Sequence, residues 1–170
     1  MTRFKTLLGA LVLFAAGSGS ALAQSVTDFE VRITITEACE FSSSAPTDVD
    51  FGTVARSVNP ADAAGALLVD CTVGTPYSIA LDAGQNSTAA VASANNRRMV
   101  LAGQFVPYGL YRDSGRTQFW GNVAGASGNV LVGAGTGTAQ NVPVYGRVPT
   151  GSTNVPAGIY VDVVQATLTF

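Results

Sequence analysis

The chain of 170 residues contains no histidine. Histidine is the commonest general base and the usual protein ligand for zinc, copper or iron, so its absence excludes histidine-dependent catalytic triads and dyads. Only two cysteines are present, Cys39 and Cys71, and a bridged pair would leave no thiolate for nucleophilic attack. Because no other arrangement of nucleophile, base or metal ligands is evident, the sequence predicts that the protein is not an enzyme and needs no cofactor or metal.

Charged residues are also scarce, at 12% of the chain, and the formal net charge is −2. This acidic balance argues against a nucleic-acid partner and against binding to anionic lipid. Long apolar runs are limited to one, Leu7–Ala16, which is too short to span a bilayer comfortably. We therefore predict no insertion into a membrane.

That apolar run belongs to a pattern typical of a cleavable signal peptide over residues 1–23. Arg3 and Lys5 precede the run, and Ala21 and Ala23 follow it as a small-residue cleavage site. Cleavage leaves 147 residues (170 − 23), a size typical of one domain. The pattern predicts export from the cell.

An exported chain with an even number of cysteines usually forms disulfide bonds, because the compartment is oxidising. We therefore predict a bond between Cys39 and Cys71. Closing a loop of this length lowers the entropy of the unfolded chain, which stabilises the fold by about 3–4 kcal/mol in the chain-entropy model.

The rest of the chain shows the two-residue alternation of β-strands and lacks a sustained helical period. From Phe29 to Ile35 every second residue is apolar, which predicts a strand with one dry face. Further strand-like runs are separated by Gly, Pro, Asn and Ser clusters, as in a sandwich or barrel. These runs are Ala66–Val73, Tyr77–Asp82, Phe105–Tyr111, Val142–Val148 and Ile159–Phe170.

Three local motifs are better explained by structure than by chemistry. Asp48 and Asp50 are predicted to decorate a turn, because no further oxygen ligands follow at calcium-loop spacing. The Gly-rich stretch 121–137 lacks the strand and helix that flank a phosphate-binding loop, which favours a flexible loop or a weak edge strand. Arg97 and Arg98 are predicted to form a solvated basic pair at a strand end.

The order of several short motifs resembles the spore coat protein U domain family, whose members are subunits of archaic chaperone–usher pili of the Csu type. The resemblance covers most of the chain after residue 23. It is carried by Cys39 with Asp50-Phe51-Gly52, Cys71 to Asp82 with Gly84, Arg98-Met99, Tyr108 to Asp113, Trp120-Gly121, Val144 to Pro149, Ala157 to Asp162 and the final Phe170.

This resemblance implies an all-β, immunoglobulin-like β-sandwich that lacks its last strand and is completed by a donor strand from another subunit. It implies a structural subunit of an extracellular adhesive pilus. A periplasmic chaperone would deliver the subunit to an outer-membrane usher, where the N-terminal strand of the next subunit would fill the open groove. The implied partners are the chaperone, the usher and other copies of this chain or other pilus subunits.

Within that scheme, residues 24–36 form the donor segment and residues 37–170 form the sandwich domain. The side chains predicted to enter a neighbour's groove are Phe29, Val31, Ile33 and Ile35. Contact with the chaperone is predicted for the C-terminal strand at Val164, Ala166, Leu168 and Phe170. The donor segment could instead be the first strand of its own sandwich, because alternation does not say which molecule's core is filled.

Two other classes of protein are compatible with parts of the pattern. A small outer-membrane β-barrel fits the alternation that ends at Phe170, but such barrels need repeated lipid-facing segments with aromatic girdles. A secreted carbohydrate-binding module fits if Tyr108, Tyr111, Trp120 and Tyr145 line an exposed surface. Core packing is the commoner place for such rings.

Overall fold

The computed structural model describes residues 23–56, 59–94 and 96–170. The predicted signal peptide therefore lies outside the described residues, except for Ala23. The chain divides into two units, Met1–Thr34 and Ile35–Phe170. All of the described strands belong to the second unit.

The second unit is all-β, as predicted, and no helix occurs among the residues that the structure describes. Its strands alternate with turns rich in glycine, whose freedom at positive φ suits tight reversals. The strands are β1 (Cys39–Phe41), β2 (Ala61–Cys71), β3 (Pro76–Leu81), β4 (Arg98–Leu101), β5 (Gln104–Pro107), β6 (Gly109–Tyr111), β7 (Leu131–Ala134), β8 (Gln140–Val148) and β9 (Ala166–Thr169).

Two antiparallel sheets share one hydrophobic core. The first sheet has the order β1-β2-β8-β6 and the second has the order β7-β3-β9, while β4 and β5 form a separate hairpin. Val69 and Val144 from the first sheet and Ile79 from the second belong to the same buried cluster. Trp120, fully buried, joins this cluster and donates its indole N–H to the carbonyl oxygen of Ile79 at 2.8 Å. Two sheets packed over a common core form a β-sandwich.

The longest pairing, between β2 and β8, shows how the sequence pattern sets the core. Every second residue of β8 from Val142 to Val148 is buried, and the residues between them are exposed or half-buried. In β2, Gly65 lies opposite Val144. A Cβ atom on Gly65 would lie 2.3 Å from the carbonyl oxygen of Thr47, so only glycine allows residues 47 and 48 to approach this strand.

Several strand limits differ from the predicted ones, and one predicted run is divided where its pairing partners change. The predicted run Phe105–Tyr111 is divided at the buried Tyr108 into β5 and β6, which lie in different sheets. The predicted run Ile159–Phe170 contains a regular strand only at β9. The stretch 121–137 includes β7, an edge strand of the second sheet, so Gly133 lies in a strand and not in a flexible loop.

Candidate functional site

The C-terminal segment has one backbone edge that none of the described strands covers. β9 lies at the end of the second sheet and pairs with β3 only, among the described strands. Before β9, the N–H of Asp82 donates to the carbonyl of Gln165 at 3.0 Å, so residue 165 faces β3. Backbone groups of alternate residues point to opposite edges. Those of Val164, Ala166 and Leu168 therefore face the uncovered edge.

The inward side chains of this segment are only partly covered. From Ile159 to Thr169 the residues alternate between exposed and half-buried, and none is fully buried. The equivalent inward positions of β8 are all buried. The half-buried apolar residues that pack against the core are Tyr160, Val164, Ala166 and Leu168. The inward apolar row at this edge of the sandwich thus stays half-exposed, without a covering layer among the described residues.

An open depression of about 250 Å³ lies beside that row. Phe41 at the end of β1, Leu67 in β2, and Val164 and Ala166 in the C-terminal segment line it, together with polar residues of the loop after β1. β1 is an edge strand of the first sheet, as β9 is of the second. We call the depression and the two edge strands β1 and β9 "the groove". Of the four residues predicted to contact a chaperone, Phe170 alone is exposed rather than half-buried.

The N-terminal segment presents an apolar face to solvent. Every residue from Ala23 to Ala38 is exposed, and none before Ala38 has a hydrogen-bonded strand partner among the described residues. Exposure is 84% for Phe29, 85% for Val31, 80% for Ile33 and 71% for Ile35. Such a row of large apolar side chains in water is unfavourable unless another surface covers it.

The charged side chains of this segment lie together between the apolar ones in sequence. Arg32 donates from Nη2 to Oε1 of Glu30 at 2.7 Å. Residues two apart share a face of an extended chain, so the charged pair occupies the face opposite Val31 and Ile33. The segment is therefore amphipathic with a two-residue period, as the sequence predicts.

A disulfide bond fixes the start of the sandwich. Cys39 and Cys71 are bonded and lie opposite each other in the β1–β2 pairing, with 4.1 Å between their Cα atoms, which confirms the predicted bond. Backbone pairing continues by one residue, since the N–H of Thr72 donates to the carbonyl of Ala38 at 2.9 Å. The hydroxyl of Thr72 accepts from the N–H of Ala38 at 3.2 Å. The disulfide bond and these hydrogen bonds thus fix residues 38 and 39, where the sandwich begins.

A buried arginine lies under the C-terminal segment. Arg97 is fully buried, so the predicted solvated pair is wrong for this residue. Its guanidinium donates to the carbonyl oxygens of Leu81 at 2.9 Å, Asp82 at 2.8 Å and Trp120 at 2.8 Å. Burial lowers the pKa of Arg97 to about 10, so the side chain stays protonated at neutral pH. Nothing in the adjacent sequence distinguishes Arg97 from its half-buried neighbour Arg98.

Two carboxylates hold the C-terminal segment beside that arginine. The Oδ1 atom of Asp82 accepts from the backbone N–H of Gly84 and from that of Gln165, both at 2.9 Å. The Oδ1 atom of Asp162 accepts from the backbone and side-chain amides of Asn86 at 3.1 and 2.9 Å. Both contacts join the segment to the loop that follows β3. Sequence reasoning missed them because the partners lie far apart along the chain.

The second oxygen of Asp162 has a buried partner. Tyr108 donates its hydroxyl to Oδ2 of Asp162 at 2.7 Å. Burial, followed by this hydrogen bond, raises the pKa of Tyr108 far above its ordinary value. Tyr108 and Trp120 are both core residues, so they do not form the exposed aromatic surface that a carbohydrate-binding module would need.

Of the paired acids Asp48 and Asp50, Asp50 shows the predicted turn geometry. The Oδ1 atom of Asp50 accepts from the backbone N–H of Gly52 at 2.7 Å, and Gly52 has a φ of 64°. Among the described residues no group of three or more His, Cys, Asp or Glu side chains is placed to hold a metal ion.

The sandwich has an immunoglobulin-like fold. It is similar to a chain in the crystal structure of the CsuC-CsuE chaperone-tip adhesion subunit pre-assembly complex, from the archaic chaperone-usher Csu pili of Acinetobacter baumannii. The TM-score is 0.54 at 23% sequence identity, and the match covers 81% of this chain and 40% of that chain. The predicted all-β, immunoglobulin-like fold is confirmed.

The chain belongs to the Spore Coat Protein U domain family, whose pattern matches residues 25–167. It is 40% identical to Protein U of Myxococcus xanthus over 110 residues, which are 62% of this chain and 59% of Protein U. The chain thus spans less than two thirds of the length of either relative. The membership predicted from the order of motifs is confirmed.

The matching family is named for a spore coat domain and not for an enzyme activity, and the similar solved structure is named for a chaperone and a tip adhesion subunit of a pilus. Both names refer to surface structures, a spore coat and a pilus, in agreement with the predicted localisation. Within the described residues, no helix has the length and apolar character needed to cross a membrane.

Proposed function

We propose that the protein is a structural subunit of an extracellular adhesive pilus that polymerises by donor-strand exchange. A periplasmic chaperone delivers it to an outer-membrane usher, where the N-terminal segment of the next subunit enters its groove. The observation that carries the proposal is the exposed apolar row of residues 29–35, in a chain whose sandwich ends in two uncovered edge strands. The partners named for the similar solved complex, a chaperone and a tip adhesion subunit, support it.

The donor segment fits the chemistry of the groove. An inserted strand gives hydrogen-bond partners to the backbone groups of Val164, Ala166 and Leu168 at the free edge of β9. Its alternate apolar side chains cover the half-buried inward row, while Glu30 and Arg32 stay in water. One inserted strand thus pairs the backbone groups of the groove and also covers its apolar side chains.

The energies favour a long-lived contact. Burying four large apolar side chains at about 1.5–3 kcal/mol each gives roughly 6–12 kcal/mol before the cost of ordering the segment. Each ladder hydrogen bond adds about 0.5–1.5 kcal/mol. A contact of this strength persists without covalent linkage between subunits.

The chaperone uses the same groove before polymerisation. Val164 and Ala166 line the depression, and Leu168 continues their inward row along β9. A strand lent by the chaperone covers these residues, while the exposed Phe170 at the chain's last position adds a further apolar contact. Exchange of this strand for the donor segment of another subunit then joins the two subunits.

An Ile33→Asp variant tests the proposal in cells that carry the matching chaperone and usher. A buried, unpaired carboxylate is costly, so this variant should accumulate with its chaperone but be missing from surface fibres. Thr34→Asp is the matched control, because residue 34 lies on the opposite face of the segment. Fibres are counted by electron microscopy and by the ladder of unboiled subunits on a gel. Normal fibres from Ile33→Asp, or equal failure of both variants, would refute donor-strand exchange through this face.

A further inference from the structure

We propose that Asp82 and Asp162 are positioning residues that hold the acceptor edge of the groove in register while no donor strand fills it. We call these two residues the carboxylate clamp. The inference rests on the proposed function and deepens it, because it names what keeps the empty groove ready for its donor.

The empty groove needs contacts that keep its edge in register. Regular pairing with β3 covers only the four residues of β9, and only on one side. Before β9 the inward row is half-exposed, and backbone hydrogen bonds join the segment only to Val100, through Val161, and to Gln85, through Val163, besides the bonds of Asp82 and Asp162 among the described residues. Edges with few buried contacts and a single hydrogen-bonded side open readily, and an opened or slipped edge would offer a donor the wrong pockets.

The carboxylate clamp grips the segment just before β9. Asp82 accepts from the N–H of Gln165 with its side chain and donates its own N–H to the carbonyl of the same residue, at 2.9 and 3.0 Å. Asp162 reaches Asn86 and Tyr108 through three hydrogen bonds. A slip by one residue would break these bonds and turn every inward side chain outward. Fixing residues 162 and 165 therefore fixes the direction of the groove-facing side chains.

Two further features are built around the clamp. The buried guanidinium of Arg97 lies against Asp82 and supplies the positive charge that half-buried carboxylates need. At Gly84, with a φ of +81°, a Cβ atom would lie 2.1 Å from Oδ2 of Asp162. Glycine at this position thus lets the loop approach the carboxylate.

The test measures uptake of a fluorescent peptide of residues 24–36 by the exported chain, which is the protein without the predicted signal peptide. Fluorescence anisotropy gives the association and dissociation rates of the peptide. Asp162→Ala should weaken binding of the peptide at least tenfold. Asp113→Ala is the control, since its carboxylate also accepts several hydrogen bonds, from Thr117 and Gln118, but in the turn after β6 at the far end of the first sheet. Asp113→Ala should bind the peptide within twofold of the wild type.

Hydrogen exchange separates positioning from general destabilisation. In Asp162→Ala the amides of residues 163–169 should exchange faster than in the wild type when the groove is empty, and at nearly the wild-type rate once the peptide is bound. Tyr108→Phe removes one bond to Asp162 and keeps the ring, so it should show a smaller loss of affinity, about two- to fivefold. This milder variant serves if Asp162→Ala does not fold.

The outcomes distinguish the two proposals. Peptide uptake by the wild type with unchanged affinity in Asp162→Ala and Tyr108→Phe overturns the carboxylate clamp alone. Equal losses in the clamp variants and in Asp113→Ala also overturn it, because they show a general effect of stability. No uptake by the wild type overturns both the clamp and the proposed function.

Discussion

Arg97 illustrates how a single buried charge is made tolerable in a small sandwich. Its donors reach backbone carbonyls at the end of β3 and at Trp120, and the carboxylates of Asp82 and Asp162 lie nearby with the opposite charge. Removing such a cation leaves carbonyl and carboxylate groups in the interior without their partner.

Arg97→Met should therefore lower the free energy of unfolding by about 3–5 kcal/mol. Arg56→Met, at an exposed position, should change it by less than about 0.5 kcal/mol. Urea denaturation of both variants and the wild type measures the difference. A loss below about 1 kcal/mol for Arg97→Met would mean that the methionine packs well enough to replace the whole network.

The disulfide bond is the other residue-scale support of the fold. It closes a loop with a sequence separation of 32 between Cys39 and Cys71. Cys39→Ser should lower the free energy of unfolding by about 3–4 kcal/mol and reduce the amount of protein in the periplasm. Immunoblots of periplasmic extracts, together with denaturation curves, measure both effects. If the variant were as abundant and as stable as the wild type, the bond would not contribute to the stability of the fold.

The disulfide bond could be predicted from the sequence, but the burial of Arg97 could not. The disulfide follows from a count of cysteines and an export signal, both visible in the sequence. Burial of Arg97 does not, because Arg97 and Arg98 are adjacent and chemically alike, and only distant partners decide which one enters the core. The carboxylate clamp was missed for the same reason.

At the scale of elements, alternation predicted where strands occur better than where they end. The inward residues of β8 could be identified from sequence, since a period of two marks one buried face. The division of Phe105–Tyr111 between two sheets could not, because both halves keep the alternation while their partners differ. β1 has only three residues, and its pairing opposite Cys71 is set by long-range contacts.

The inward and outward faces of β9 should respond differently to a charge. Leu168→Asp places a carboxylate in the half-buried row of the groove and should abolish uptake of the donor peptide. Thr167→Asp places the same charge on the exposed face and should leave uptake within about twofold, which corresponds to about 0.4 kcal/mol. Peptide anisotropy with the two variants gives the comparison. Equal uptake by both would place the peptide somewhere other than the groove.

At the scale of the whole molecule, the exposed apolar face of residues 29–35 and the half-exposed apolar row of the groove have complementary chemistry. Residues 29–35 carry apolar side chains with no cover, and the groove has an uncovered apolar row beside free backbone groups. Exposed strand edges of this kind invite pairing with another chain, and most soluble proteins protect them. A subunit that must polymerise has a reason to keep both exposed.

The family could be predicted from sequence because its motifs occur in order along most of the chain. The absence of histidine and the scarcity of charge reduced the number of functional classes that fit the sequence. Alternation alone did not show which molecule's core the N-terminal segment fills. The shape of the groove could not be predicted, because it depends on which edges two separate sheets leave unpaired.

Uptake of the peptide of residues 24–36 by the exported chain is the most direct test of this account. We expect a stable complex and a rise of about 10 °C or more in the unfolding temperature, since several kcal/mol of burial are gained. The same peptide with Ile33→Asp should bind weakly and leave the temperature unchanged. A wild-type peptide that neither binds nor raises the unfolding temperature would contradict an open groove that accepts a donor strand.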